Sequence, residues 1–449
     1  MMILLGIQPG RKLIGYFVMA IAVGTVLLLL PVSTVGSPLS FVDALFTATS
    51  AVCVTGLTVV DTASDFSLFG QAVIMLLIQL GGLGIMTFAT VLIMMAGSRL
   101  PFLDRLGLTR SFAVGGGTKS TSLLAAVMVT TFVCEFLGAA ALFVDFRGDY
   151  PFGQAVFQSV FHSVSAFCNA GFSTFPGGLE GYRGNIPVIG IFSGLIILGG
   201  LGFIVIRELV ERARNRKNRL SLHSKICLSV SALLLALGTI LIFAVEQNNA
   251  LAGMSAGESL ANSFFQAVTA RTAGFNTFAQ TGLTEVGLLV TMILMFIGAC
   301  PGSTGGGIKT TTAAVILLLI YSRFMGRRST AAFKRSISGE SIIRALTVVL
   351  LAALVILAVL ALLMSLGERR VAHELSHGWF VDNLFEVVSA FSTVGLSLGT
   401  TGQADNFGKI VLIATMFIGR VGLLTLAFAL ARPPSRGEIV YAEESVMIG

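Results

Sequence analysis

Four short segments carry a glycine in the same frame: 46–58 FTATSAVCVTGLT, 161–173 FHSVSAFCNAGFS, 264–276 FFQAVTARTAGFN and 385–397 FEVVSAFSTVGLS. An aromatic residue is followed by Ser/Thr-Ala, a few small or polar residues, and then Gly56, Gly171, Gly274 or Gly395, with Leu or Phe behind it. The third copy has one residue fewer between its Thr-Ala and its glycine. The chemistry on offer is that of the backbone. A glycine reaches φ/ψ values closed to other residues, so a return segment turning there can aim carbonyl oxygens at a common axis. Such carbonyls can replace the hydration water of a cation. A short helix ending at each segment would add the partial negative charge of its C-terminus.

A second element follows each glycine: GGLG at 81–84, GGLG at 199–202, GACPG at 298–302 and GRVG at 419–422. Gly82, Gly200, Gly298 and Gly419 are taken as its matching positions. Two linked features recurring four times in one order predict four copies of one unit, none able to enclose an axis alone. Asp43 and Asp382, in FVDALF and FVDNLF, stand where helix N-caps are expected.

The elements that must position these glycines are apolar. Of 449 residues, 55% are hydrophobic and 11% charged, against roughly 25% charged in a soluble domain. Such a chain cannot cover a water-facing surface. Runs long enough to cross a bilayer, about 20 residues, lie near 13–31, 69–97, 121–145, 186–206, 227–245, 286–298 with 311–322, 341–365 and 408–431. That makes eight spans, the sixth interrupted. The stretch 13–30 follows Arg11-Lys12 like a signal peptide, but its Ala-x-Ala lies inside the apolar run, so it reads as a retained span. Between the members of each pair lies a segment too short to cross, near 41–53, 153–168, 258–270 and 379–392. The expected fold is therefore an all-α membrane protein of four helix–pore-loop–helix repeats around a pseudo-fourfold pore. Repeat boundaries are drawn at 1–98, 99–219, 220–338 and 339–433, with 434–449 as a tail.

Lys and Arg cluster on one side of this map, 21 of 29, with five on the other. By the positive-inside rule both termini are cytoplasmic and the short segments open outward. The net charge of +7 then fits contact with membrane lipid rather than nucleic acid. Arg271, Lys309 and Arg420 fall at membrane depth, as does Glu135. A charge there costs about 2.5 kcal/mol or more unless paired or hydrated. For Glu135 a structural partner or protonation is expected. Arg271 is expected to prop the third glycine segment, with Glu386 a possible acidic neighbour. The break at 298–310, GACPGSTGGGIKT, lacks the GxxxxGK[ST] spacing of a phosphate loop, because Ile308 separates Gly307 from Lys309. Non-helical backbone at this depth is tolerated where it lines a water-filled cavity.

At these residues the chain resembles the TrkH/KtrB/HKT superfamily of K⁺ transporters, over nearly its whole length. TrkH-type members carry two extra N-terminal helices. Here one span precedes VCVTGL, so the KtrB branch, membrane subunits of Ktr uptake systems, is the nearer likeness, and the final RPPSRGEIVYAEESVMIG resembles the KtrB tail. The resemblance implies a selectivity filter lined by carbonyls of Val54, Thr55, Asn169, Ala170, Thr272, Ala273, Thr393 and Val394 beside Gly56, Gly171, Gly274 and Gly395. Glycine at all four positions implies K⁺ preference, since Na⁺-carrying plant members tend to have serine at the first. It implies a gate in Gly302, Ser303, Thr304, Gly305, Gly306, Gly307 and Lys309, contacted by Arg420. It further implies transport of K⁺ with an association to Na⁺, no nucleotide on this chain, a cytosolic KtrA-like nucleotide-binding ring, a homodimer, and the cell membrane.

Two other classes fit the pattern less well. A secondary transporter for an organic solute would show inverted repeats, whereas these four run in one direction with one helix broken outright. An enzyme would rest on His373-Glu374-Leu375-Ser376-His377, an HExxH pattern with no third ligand evident. The five cysteines form no CxxC pair, and His223 with Cys227 has no further ligand nearby, so neither a disulfide framework nor a metal site is expected.

Overall fold

The computed structural model describes residues 9–99, 120–366, 378–423 and 425–426. The HExxH pattern and the tail lie outside them. In chain order, α1 (Pro9–Leu28), α2 (Phe41–Val52) and α3 (Leu68–Arg99) precede α4 (Ser120–Phe146), α5 (Phe152–Cys168), α6 (Ile186–Leu201) and α7 (Phe203–Arg214). Next come α8 (Leu222–Glu246), α9 (Ala256–Thr269), α10 (Glu285–Phe296) and α11 (Thr310–Phe324). The chain continues through α12 (Gly339–Leu366), α13 (Trp379–Ser392), α14 (Thr400–Gln403) and α15 (Asn406–Val421). A small hairpin of β1 (Ala331–Ala332) and β2 (Arg335–Ser336) joins α11 to α12.

Four helices among the described residues are apolar and long enough to cross a membrane unbroken, at Gly10–Leu28, Ala125–Phe146, Leu222–Glu246 and Gly339–Ser365. They lie in α1, α4, α8 and α12. Each precedes a short helix, α2, α5, α9 or α13, and then a helix or helix pair that returns. Local sequence sets the starts: Ser40, Asn185, Ser255, Thr284 and Asp405 cap α2, α6, α9, α10 and α15 with their side-chain oxygens. At α9 the cap is a full capping box with Glu258.

Two expectations about helix starts change. Ser40, not Asp43, is the N-cap of α2; Asp43 accepts a hydrogen bond from Ser40 Oγ and pairs with Lys409. Asp382 lies inside the first turn of α13, whose N-cap is Gly378.

The fourth and eighth runs are also interrupted. The helix α6 stops at Gly202 and resumes as α7 at a bend of 102°. The helix α15 stops at Gly422, whose φ of +84° nearly repeats the +81° of Gly202. Only glycine enters this left-handed region at no steric cost. At Gly202 there is a further reason: a Cβ would sit 2.8 Å from the Pro301 carbonyl oxygen. The expectation that one helix alone is broken is therefore corrected.

Packing closes a ring. Each short helix packs against the helices of its own unit and against the return helix of the preceding one: α5 on α3, α9 on α6, α13 on α10, and α2 on α15. The last contact joins the ends of the chain, and the Lys409 Nζ–Asp43 Oδ1 pair at 2.7 Å bridges it. Phe17, Phe46 and Phe66 fill the core of the first unit; Phe167, Phe192, Phe265 and Phe275 fill the seam between the second and third. Met19, Phe136, Leu350 and Leu354 stay exposed, as expected of faces solvated by lipid. Because the Lys409–Asp43 pair is partly exposed, Lys409→Met should cost no more than about 1 kcal/mol. A thermal-unfolding shift in detergent larger than this allows would mean that the pair closes the ring on its own.

Candidate functional site

Each short helix ends in the same backbone device. The amides of Thr55, Ala170 and Val394 reach back five residues to Ser50, Ser165 and Ser389, while Val54, Asn169 and Thr393 take left-handed dihedrals. This is a Schellman-type close with non-glycine residues at the strained position. In the third copy, with one residue fewer between Thr-Ala and Gly, Thr272 is left-handed and Gly274 N reaches Thr269 O at 3.4 Å. Two residues beyond each left-handed residue stands the segment glycine, also at positive φ: +92° at Gly56, +71° at Gly171, +80° at Gly274 and +96° at Gly395.

The four glycines form one ring. A Cβ on Gly56 would lie 2.5 Å from Ala170 O, and one on Gly171 would lie 2.8 Å from Ala273 O. Likewise a Cβ on Gly274 would overlap Val394 O, and one on Gly395 would overlap Thr55 O. Carbonyl oxygens and glycines thus interleave around a closed circuit. The amides of the return segments are spent on the helix ends, and among the described residues no donor reaches the oxygens of Thr55, Ala170, Ala273 or Val394. Unpaired buried carbonyls are rare; four in one ring mark a place where something else supplies the positive partner.

Side chains brace the ring. Ser50 Oγ and Ser389 Oγ accept from the amides of Gly56 and Gly395, and Ser165 Oγ and Thr269 Oγ1 donate to the carbonyls of Phe172 and Phe275. One turn earlier, His162 Nε2 meets Ser173 Oγ at 3.0 Å, Gln266 donates to Gln280, and Glu386 accepts from Thr401 Oγ1 at 2.7 Å. These braces were missed in the sequence. A polar residue three positions before the Ser/Thr-Ala of each short helix (Thr47, His162, Gln266, Glu386) was the available signal. Above the ring, a cavity of about 360 Å³ is lined by all four glycines, with Asp61 and Glu180 on its wall.

The return helices approach through glycine, but not at every expected position. A Cβ on Gly81, Gly199 or Gly419 would fall on the carbonyl of Val52, Phe167 or Phe391 at the end of a short helix. Gly82 instead faces Cys168 Sγ, and Gly200 looks toward Ala299. The register in the first two copies is one residue earlier than expected. One residue turns a helix by about 100°, which moves the position to another face.

The segment 298–310 crosses directly behind the ring and touches all four units. Thr304 N donates to Gly199 O at 3.3 Å, and Thr304 Oγ1 donates to Phe167 O at 3.3 Å. Gly305 abuts Thr272, and Gly306 abuts Thr393. Arg420 donates to Thr304 O and, at 2.9 Å, to Gly81 O. Lys309 Nζ donates to Gly305 O at 2.5 Å. Arg271 does not pair with Glu386: it donates to Ser231 Oγ at 3.1 Å and Gly298 O at 3.4 Å, while Glu386 is taken up by Ser397, Leu398 and Thr401. The physical reason is that Arg271 follows the end of its short helix on the segment's side of the ring, whereas Glu386, inside α13, faces the return segment at Ser397 and Leu398. Glu135 accepts from Gln79 Nε2 at 3.1 Å. Among the described residues no carboxylate pairs with Arg271, Lys309 or Arg420, so three buried cations are held by carbonyls and hydroxyls next to the ring.

A family model described as TrkH, cation transport protein, matches residues 12–437. The chain is 39% identical to the potassium/sodium uptake protein NtpJ of Enterococcus hirae, over 97% of this chain and 96% of that one. It is 38% identical to the Ktr system potassium uptake protein B of Bacillus subtilis, over 98% and 96% of the two chains. The crystal structure of the potassium transporter TrkH from Vibrio parahaemolyticus superposes with a TM-score of 0.74 over 96% of this chain and 86% of that one, and at 19% identity this likeness speaks for the fold.

Proposed function

The chain belongs to the TrkH family of cation transport proteins, and on that premise we propose that it is a K⁺ uptake subunit of the cell membrane whose ion path runs through the ring of Gly56, Gly171, Gly274 and Gly395. The carrying observation is the set of four carbonyl oxygens, of Thr55, Ala170, Ala273 and Val394, that no donor reaches among the described residues. An ion entering from the vestibule exchanges water for these oxygens. The short-helix C-termini favour positive charge there, and Asp61 and Glu180 raise its local concentration. The four units, bounded as in the sequence reading, each contribute one quarter of the ring. The driving force is electrochemical, about 2.3 kcal/mol per unit charge per 100 mV.

In this reading the segment 298–310 is the gate. Arg420 keeps it seated, Lys309 ties the segment to itself through Gly305 O, and the charge of both opposes a cation in transit; two unit charges about 4 Å apart repel by about 4 kcal/mol at an effective dielectric constant of 20. Control comes from a cytosolic nucleotide-binding ring of the KtrA type docked on the basic face, with the pore subunit acting as a homodimer. The name of the Enterococcus hirae relative includes sodium, which supports a second reading in which Na⁺ also passes. One glycine per segment favours that reading too, because it leaves fewer well-formed ion sites than a longer filter would. Proteoliposomes holding the purified chain should take up K⁺ faster than Na⁺ under an imposed potential. Equal rates would leave the Na⁺ reading; no uptake of either ion would remove both.

A further inference from the structure

Three consecutive glycines of the crossing segment each cover a hydroxyl that has no partner. A Cβ on Gly305 would fall on Thr272 Oγ1, and one on Gly306 would fall on Thr393 Oγ1. A Cβ on Gly307 would sit 3.4 Å from Ser392 Oγ. All three side chains are fully buried, and all three oxygens lack a hydrogen-bond partner. A buried hydroxyl nearly always finds one, and a serine or threonine could be replaced there by alanine or valine with no loss of shape. Three such oxygens in a row, facing CH₂ groups, are ligands without their ligand.

Thr272 and Thr393 are also the left-handed residues that precede Gly274 and Gly395 by two positions. Their hydroxyls therefore stand at the edge of the ring nearest the segment, on two adjacent units. The equivalent positions in the other two units are Val54, with no side-chain oxygen, and Asn169, an amide, so the hydroxyls are supplied from one side only. That is the side over which Gly305–Gly307 lie.

We propose that the hydroxyls of Thr272, Thr393 and Ser392 are ligands of a monovalent-cation subsite at the inner edge of the ring, which the glycines of the crossing segment cover in this structure. The inference rests on the ion path proposed above and adds side-chain ligands to it. A hydroxyl oxygen suits a K⁺-sized cation that has shed part of its water and keeps the rest toward the open side. Because the glycines and the ion need the same space, seating the segment and filling the subsite exclude each other. A cation arriving from the ring then competes with the segment, and glycine is required at 305 and 306 because a Cβ at either would strike a hydroxyl oxygen, while the Gly307 φ of +65° favours glycine there.

The test uses the full chain in proteoliposomes with K⁺ and Na⁺ as the probes. Thr272→Val with Thr393→Val keeps the shape and removes two oxygens; Thr272→Ser with Thr393→Ser keeps the oxygens. The valine pair should lower K⁺ flux and change the K⁺/Na⁺ ratio by about tenfold, while the serine pair stays near wild type. The same loss should appear when Arg420→Ala has freed the segment, since the defect is a missing ligand and not a missing gate. If the valine pair leaves flux and ratio unchanged while the wild type carries K⁺, the subsite is wrong and the ion path stands. Loss of flux in the serine pair as well would assign the residues to packing and overturn the subsite. If the wild type carries no K⁺, both readings fall together. Should the valine pair not fold, as judged by size exclusion, Ser392→Ala removes one oxygen under the same criteria, and an unchanged ratio there overturns the proposal.

Discussion

Serine at Gly274 or Gly395 is expected to remove K⁺ selectivity, whereas serine at Gly171 should be tolerated best of the four. The order follows from the space at each position. A Cβ on Gly274 would overlap Val394 O and stand 3.2 Å from the Cα atoms of both Gly171 and Gly395; a Cβ on Gly395 would overlap Thr55 O. At Gly171 the nearest atom is 2.8 Å away. Every position also carries positive φ, where an L-residue pays about 1–2 kcal/mol. The neighbouring carbonyl must move, and it is a carbonyl that no donor among the described residues holds in place. Since about 1.4 kcal/mol is a factor of ten, a shift of this size in ion binding is enough to erase a tenfold preference for K⁺ over Na⁺. Parallel K⁺ and Na⁺ fluxes for the four single variants, each checked for folding, would read this directly. Unchanged ratios for Gly274→Ser and Gly395→Ser would put the ring outside the ion path.

Replacing Arg420 by Ala should raise basal K⁺ flux about tenfold, equivalent to about 1.4 kcal/mol of seating energy, in liposomes that contain no partner protein. Arg420 is 3% exposed and spans two units, holding Thr304 O of the crossing segment and Gly81 O of the first return helix. Nothing else among the described residues donates to either carbonyl from that side. A guanidinium presents several donors in a fixed fork, whereas an ammonium is a point charge on a flexible stem. Lys at this position should therefore reach one carbonyl or the other and give an intermediate flux. Stability should fall less than the lost bonds imply. Each unpaired carbonyl costs about 1–3 kcal/mol, but the variant also removes a buried charge that has no carboxylate partner. Flux equal to wild type in a folded Arg420→Ala protein would show that the arginine is structural and does not gate.

Much of the architecture was legible before any coordinates. The four glycine frames, the alternation of long and short apolar runs and the break at 298–310 are carried by local composition. That is enough because a bilayer leaves a backbone few options and because positive φ selects glycine residue by residue. Arg420 was legible for a related reason: a lone charge in an apolar run has to be explained by something nearby.

What the sequence could not decide is which neighbour each residue meets. Gly202 and Gly422 look like any other helical glycine in the sequence, yet at the first of them Pro301 and Gly302 of a different unit stand where a Cβ would lie. Gly81 and Gly82 are indistinguishable as letters, yet 100° of helix rotation sends one to a carbonyl and the other to a thiol. Arg271 bonds Ser231 and Gly298 and not Glu386, because the third short helix ends on the segment's side of the ring. The row of orphaned hydroxyls under Gly305–Gly307 exists only where two units and the crossing segment converge. The dihedral freedom of glycine is a property of one residue, so sequence alone could locate it at Gly56, Gly171, Gly274 and Gly395, though not at Val54, Asn169, Thr272 and Thr393. Close approach depends on chain segments about a hundred residues apart, so only the tertiary structure could.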